Sequence, residues 1–238
     1  MARTWTTEVG HATRALVPGD VAAGIAAAVA AGGSIVELSA LEEPQLLPAI
    51  AAVGVARRSF RRVSVHAPAK GRTLPEDELA DRLVHLGLPV VAHPDVIVTP
   101  ELWRPLGSRL LIENNDARKH SWHDPAELDE IFAALPEAGL CLDVSHALDA
   151  GGRDLLDALV ATYRGRLGQL HAGCGCGSDE GEHLGPDVLD AVSRVLCRAG
   201  RPLPVIVERR ATTAAAALAQ IYAVRSAVVA GVAAREAA

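Results

Sequence analysis

Short apolar runs alternate with longer amphipathic stretches along the chain, and the alternation repeats eight times. Runs of four to six apolar residues bounded by turn signals read as buried strands, and stretches with helical periodicity between them as covering helices. The first strand is expected around Thr4 to Val9. The other seven are expected over residues 34–38, 62–66, 89–93, 109–113, 140–143, 167–171 and 204–208. Pro18-Gly19-Asp20 opens a helix that runs to about Gly32, and another follows Glu43-Pro44. Thr73 and Glu76 have capping-box spacing, and a short helix is expected near Leu102. Asp124, Pro125 and Glu127 mark a helix start, and Gly200 ends the helix from Pro186 to Ala199. A long Ala-rich helix closes the pattern. Near-continuously apolar strands belong to a parallel sheet covered on both faces. Eight such units predict one α/β domain over residues 1–238, a (β/α)8 TIM barrel. A doubly wound open sheet is the alternative, but it would usually carry a Gly-rich phosphate loop after its first strand, and none is present.

Composition narrows the function. The chain has 238 residues, half of them hydrophobic, enough for one large core. A formal net charge of −6 argues against a nucleic-acid partner. The N-terminal residues lack the apolar core of a signal peptide, and the apolar stretches 21–32 and 213–234 are Ala-rich and punctuated by polar residues. They read as helices of a cytoplasmic protein with no membrane partner. Cys141 and Cys197 fall in apolar patterns and read as structural thiols. Cys174-Gly175-Cys176 has only one residue between its thiols, short of the usual zinc spacing, and reads as a glycine loop.

The strand ends carry the chemistry. From the third strand onward the last residues are His66, His93, Glu113, Asp143, His171 and Glu208. Each is a metal-ligand type, and each falls at the C-terminal mouth, where barrel enzymes build their active sites. His146 stands three residues beyond Asp143. Asp143 could equally cap the following helix, and alone that reading would be preferred; the recurrence on six strands favours a metal site. Mixed imidazole and carboxylate donors suit Zn, Mn, Fe or Co rather than Ca.

With those residues in place the chain resembles the xylose isomerase-like barrels, which include sugar isomerases and epimerases, inosose dehydratases and endonuclease IV. The matching motifs are Val65-His66-Ala67-Pro68, Ala92-His93-Pro94, Ile112-Glu113-Asn114, Leu142 to His146, Leu170-His171, Glu182-His183-Leu184-Gly185 and Val207-Glu208. The resemblance implies one divalent metal (Mn, Zn, Co, Mg or Fe) held by Glu113, Asp143, His171 and Glu208. It also implies a small sugar or polyol substrate, isomerised or epimerised through an enediolate, with Glu113 and Glu208 as catalytic proton carriers. The endonuclease-like members hold further metals, and His66, His93, His146 and His183 stand at the corresponding positions. The aspartate expected two residues before the loop histidine is replaced by Gly181, with Asp179 as a substitute. An endonuclease IV-like metallophosphodiesterase and a multinuclear non-haem iron oxygenase are the alternative activities.

Other residues have two readings each. Glu37 and Asn114 are candidate substrate contacts, or else salt-bridged and ligand-orienting groups. Arg118-Lys119 and Arg209-Arg210 could meet an anionic substrate, or be solvated loop charges. His120 and His123 flank Trp122 on a loop that could cover the mouth. His11 and His85 read as surface residues, and the last helix as a surface for a homodimer.

Overall fold

The computed structural model describes residues 6–173 and 181–237. Cys174, Cys176 and Asp179 therefore lie outside the described residues. Eight parallel strands close into a barrel in sequence order: β1 (Val9–Ala12), β2 (Ile35–Ser39), β3 (Arg62–His66), β4 (Val90–Ala92), β5 (Leu110–Glu113), β6 (Gly139–Asp143), β7 (Leu167–Ala172) and β8 (Val205–Val207). β8 pairs with β1 through Val9 and Val205, Gly10 and Ile206, and His11 and Val207. The covering helices are α1 (Thr13–Leu16), α2 (Val21–Ala30), α3 (Leu46–Ser59), α4 (Glu76–His85), α5 (Pro100–Trp103), α6 (Pro125–Ala134), α7 (Val144–Tyr163), α8 (Pro186–Ala199) and α9 (Ala214–Ala237).

Local chemistry sets most boundaries. Asp20 accepts from Ala23 N at 2.9 Å and starts α2. Asp124 and Glu127 form the expected capping box at α6, and Gly200 ends α8 in the left-handed conformation with φ 71°. The capping box expected of Thr73 and Glu76 does not form. Glu43 takes Thr73 N, Thr73 Oγ1 and Leu74 N, and Glu76 reaches across to Val98 N and Trp103 Nε1. Both carboxylates thus fasten loops rather than their own helix.

β1 begins where its prediction ended. Gly10 is there because β1 crosses β2 closely: a Cβ at this position would lie 1.8 Å from the Ile35 carbonyl oxygen. A strand of Val, Gly, His and Ala has little β propensity, whereas the preceding Thr and Trp residues have much, so the pattern pointed too early.

Side-chain alternation divides the strands into two sets. Outward residues such as Leu38, Val65, Ile112 and Leu142 join the large cluster packed under the helices. Inward residues form the barrel interior, where Val91, Leu111 and Cys141 make one small cluster and Ala12, Ile35 and Ile206 another. This layer is the floor on which the strand-end residues stand.

α9 packs through Ala217, Ile221, Val224 and Val228, all buried, and leaves Tyr222 and Val229 exposed. Over Ala214–Ala234 it is long and apolar enough to cross a membrane by length and composition. Its Gln220 faces into the fold, and its Oε1 accepts from His11 Nε2 at 3.0 Å. His11 is fully buried, not a surface residue, because it points out of the barrel toward α9 instead of toward solvent. His85 is exposed as expected.

Burial, against the Gln220 hydrogen bond, lowers the His11 pKa from 6.5 to about 4. The folded state therefore binds fewer protons than the unfolded chain between those values. The stability tied to neutral His11 is complete above 6.5 and is lost as the pH falls toward 4. His11→Asn should flatten this dependence. Between about pH 7 and pH 4.5 the unmodified protein should lose about 2–3 kcal/mol more than the variant in urea unfolding. Parallel losses in the two proteins would show that His11 does not carry the effect.

Candidate metal centre

The six strand-end residues meet at the barrel mouth. Donor atoms of Glu113, Asp143, His171 and Glu208 lie within 4.8 Å of one another, and those of His66, His93 and Glu113 do the same. Glu113 belongs to both groups. Its Oε2 is 3.0 Å from His66 Nε2 and 3.6 Å from His93 Nε2, and its Oε1 is 3.0 Å from His171 Nδ1. Glu113 is fully buried, so its charge must be met by those rings rather than by water.

Asp143 caps α7 and still turns one oxygen toward the centre. Its Oδ1 accepts from Ser145 N at 2.7 Å and His146 N at 2.9 Å, capping α7. Its Oδ2 faces His146 Nε2 at 3.6 Å. Cap and ligand are compatible because the carboxylate has one oxygen for each.

The histidine tautomers follow from their outer partners. His66 Nδ1 donates to Ala67 O at 2.8 Å and His146 Nδ1 donates to Asn114 O at 2.9 Å. A carbonyl only accepts, so each Nδ1 bears hydrogen, and each Nε2 is turned toward the carboxylates. His171 is reversed. Its Nδ1 faces Glu113, and its Nε2 lies 3.3 Å from Glu37 Oε2 and 3.0 Å from Gln169 Nε2. A ring whose far nitrogen is held by a carboxylate is the usual support for a metal-binding histidine.

Glu37 and Asn114 are both buried and hydrogen-bonded within the protein. Glu37 is wholly buried behind His171, where its Oε2 accepts from Ser64 Oγ at 2.9 Å and Gln169 Nε2 at 2.7 Å. Asn114 is also wholly buried. It accepts from Asp143 N at 2.9 Å and donates to Asp143 O at 3.1 Å, pinning β5 to β6. Glu37 points into the barrel beneath His171, on the same face of β2 as Ile35, and Asn114 turns toward β6. His183 is exposed and belongs to neither group. His146 lies beside the centre, with its ring 6.3 Å from that of His93.

Protonation follows the crowding. Burial opposes charge on the Glu113 carboxylate, but His171, His93 and His66 hold its pKa well below the usual range. Burial, with Glu113 and Glu208 beside it, raises Asp143 to about 6. His146, despite burial, is raised to about 9 by Asp143 and Glu113. Protons thus occupy the positions between these donors where a cation would bind, and the two compete. Two of the loop cations are engaged: Arg118 grips Asp116 through Nε and Nη2 at 3.0 and 2.9 Å, and Lys119 pairs with Asp95. Arg209 is buried.

The donor set fits a divalent cation. Three carboxylates and a histidine converge, and the histidine is backed by Glu37. Sequence reasoning missed Ser64, Gln169 and Asn115. Ser64 and Gln169 stand two residues before His66 and His171, so the inward period of the strands could have exposed them.

No protein-family model and no curated protein matches the chain. Solved structures do. The IOLI protein with a bound zinc atom is 16% identical with TM-score 0.64, covering 95% of this chain and 98% of its own. A xylose isomerase domain protein from Alicyclobacillus acidocaldarius is 15% identical with TM-score 0.63, covering 94% and 99%. The D-psicose 3-epimerase of Clostridium cellulolyticum H10, solved with D-tagatose, is 14% identical with TM-score 0.62, covering 95% and 97%. The fold is that of the xylose isomerase-like barrels. The resemblance carried by the sequence motifs therefore predicted the fold correctly.

Glu37→Gln retains an acceptor for His171 Nε2 but removes the charge behind it. We expect about 10–100-fold weaker Zn2+ binding in competition with a chromophoric chelator. An unchanged affinity would remove Glu37 from the centre.

Proposed function

We propose that this chain is a divalent-cation-dependent isomerase or epimerase of a small sugar or polyol. The observation that carries the reading is the convergence of Glu113, Asp143, His171 and Glu208 at the mouth of this barrel. The sugar epimerase and the zinc-bound protein among its structural neighbours support it. A bound cation would supply electrostatic stabilisation to charge developing on adjacent substrate oxygens.

The chain's own groups would move the proton. The Glu208 side chain is 16% exposed, while Glu113, Asp143 and His171 are almost completely buried. Its greater exposure supports Glu208 as the carboxylate that would meet a substrate C–H and take its proton. Glu113 would return a proton to the same carbon or its neighbour, drawing it from the His66 or His171 ring hydrogen-bonded to it. His66 and His171 hold Glu113 at its two oxygens, which fixes its orientation before substrate arrives.

The His66, His93 and Glu113 group favours one second reading, a two-cation phosphodiesterase to which Glu113 would contribute a donor in both groups. Against nucleic acid as its substrate stand the net charge of −6 and the pairing of Arg118 and Lys119 with aspartates. A duplex needs unpaired cations facing its phosphates.

Deuterium wash-in from D2O into ketohexoses and ketopentoses, followed by NMR, tests the first reading. Exchange should require an added divalent cation and stop with a chelator. Glu208→Gln should slow it about 10²–10⁴-fold. Full exchange in that variant would overturn Glu208 as the base. Metal-dependent nicking of abasic-site DNA without any ketose exchange would transfer the assignment to the second reading.

A further inference from the structure

We propose that Asn115 is a positioning residue that holds His93 for a cation and links it to the strained turn at Trp122. The inference rests on the reading of His66, His93 and Glu113 as a cation-binding group. Asn115 immediately follows the strand-end pair Glu113-Asn114 and is almost fully buried. Its Oδ1 lies 2.9 Å from His93 Nδ1, its Nδ2 donates to Ser121 O at 3.1 Å, and its backbone N donates to Trp122 O at 2.9 Å.

Those partners settle the amide's orientation. The Ser121 carbonyl only accepts, so the Asn115 NH2 faces it and the Asn115 oxygen faces His93. His93 Nδ1 must then be the donor. Its Nε2, 3.6 Å from Glu113 Oε2, is left with a lone pair directed into the group. His66 and His146 receive the same service from backbone carbonyls. His93 alone among these three receives it from a side chain, so a substitution can alter it.

The other end of the link is under strain. Trp122 has φ 72°, the one positive value among non-glycine residues described, a left-handed conformation that L side chains rarely adopt. The turn is held closed by the two Asn115 bonds, by His123 Nε2 against Asp116 O at 3.0 Å, and by His123 N donating to Glu127 Oε2 at 2.7 Å. The Trp122 ring packs partly buried against the core. Any shift of His93 on binding a cation is passed through one rigid amide to the Ser121–Trp122 backbone. The indole should therefore report occupancy of the His93 group.

Zn2+ titration of the full-length protein, read by elemental stoichiometry, chelator competition and tryptophan fluorescence, tests the link. The unmodified protein should bind two equivalents, with a fluorescence change at the His93 group that disappears in Trp122→Phe. Asn115→Ala should weaken that equivalent about 10–100-fold, leave the other within a few-fold, and abolish the fluorescence change. Asn115→Asp retains an oxygen on His93 but places a second oxygen against Ser121 O. It should keep the affinity and lose the fluorescence change, a separation that general damage to the fold would not produce. Two equivalents of unchanged affinity in Asn115→Ala, or an unchanged signal in Asn115→Asp, would overturn the link alone. One equivalent in the unmodified protein would overturn the His93 group and the link together while leaving the isomerase reading standing. No binding at all would overturn that reading as well.

Discussion

Glu113 is an ionised carboxylate held out of water at the mouth of a closed barrel, and its neighbours are arranged around that cost. A buried charge without partners is prohibitive, so His66 and His171 stand 3.0 Å from its two oxygens and His93 stands 3.6 Å away. Each of these rings needs a fixed orientation, which Ala67, Glu37 and Asn115 provide from outside. The result is a shell of donors already turned inward. Such preorganisation serves a cation because little reorientation has to accompany binding.

The barrel makes that shell affordable. Parallel strands in register bring successive strand ends to one level, as Asp143 beside His171 illustrates. The layer beneath is mostly apolar through Val91, Leu111, Cys141 and Ile206. Its polar members, Ser64 and Gln169, both bond Glu37 under His171. Polarity thus penetrates the interior only where a carboxylate needs partners. Asn114 adds a second economy by pinning Asp143 through both backbone groups while its own carbonyl orients His146.

Function is distributed unevenly over this frame. One group, centred on Asp143, His171 and Glu208, includes the partly exposed carboxylate of Glu208. The other, His66 and His93 with Glu113, is attached through Asn115 to the loop carrying Trp122. Sharing Glu113 couples the two electrostatically, since a cation at either group changes the charge the other experiences. Structural neighbours of this fold include a sugar epimerase and a zinc-bound protein, and identity of 14–16% to them supports a common scaffold, not a common reaction.

The sequence by itself determined the strand and helix order, the barrel class and the identity of six strand-end donors. Those features follow from local periodicity and from residue types at run ends, which need no knowledge of distant contacts. It misplaced β1, because Gly10 is required by the nearby Ile35 carbonyl rather than by strand propensity. It assigned His11 to the surface, because only the packing of α9 buries it. It misread the Thr73 and Glu76 spacing, because each residue found a partner on another segment. Only the tertiary structure decided which polar residues face the centre and which support it from behind. Glu37 and Asn114 have the same chemical types as ligands and substrate contacts, and only the folded strands show that Glu37 backs His171 and that Asn114 bonds both backbone groups of Asp143.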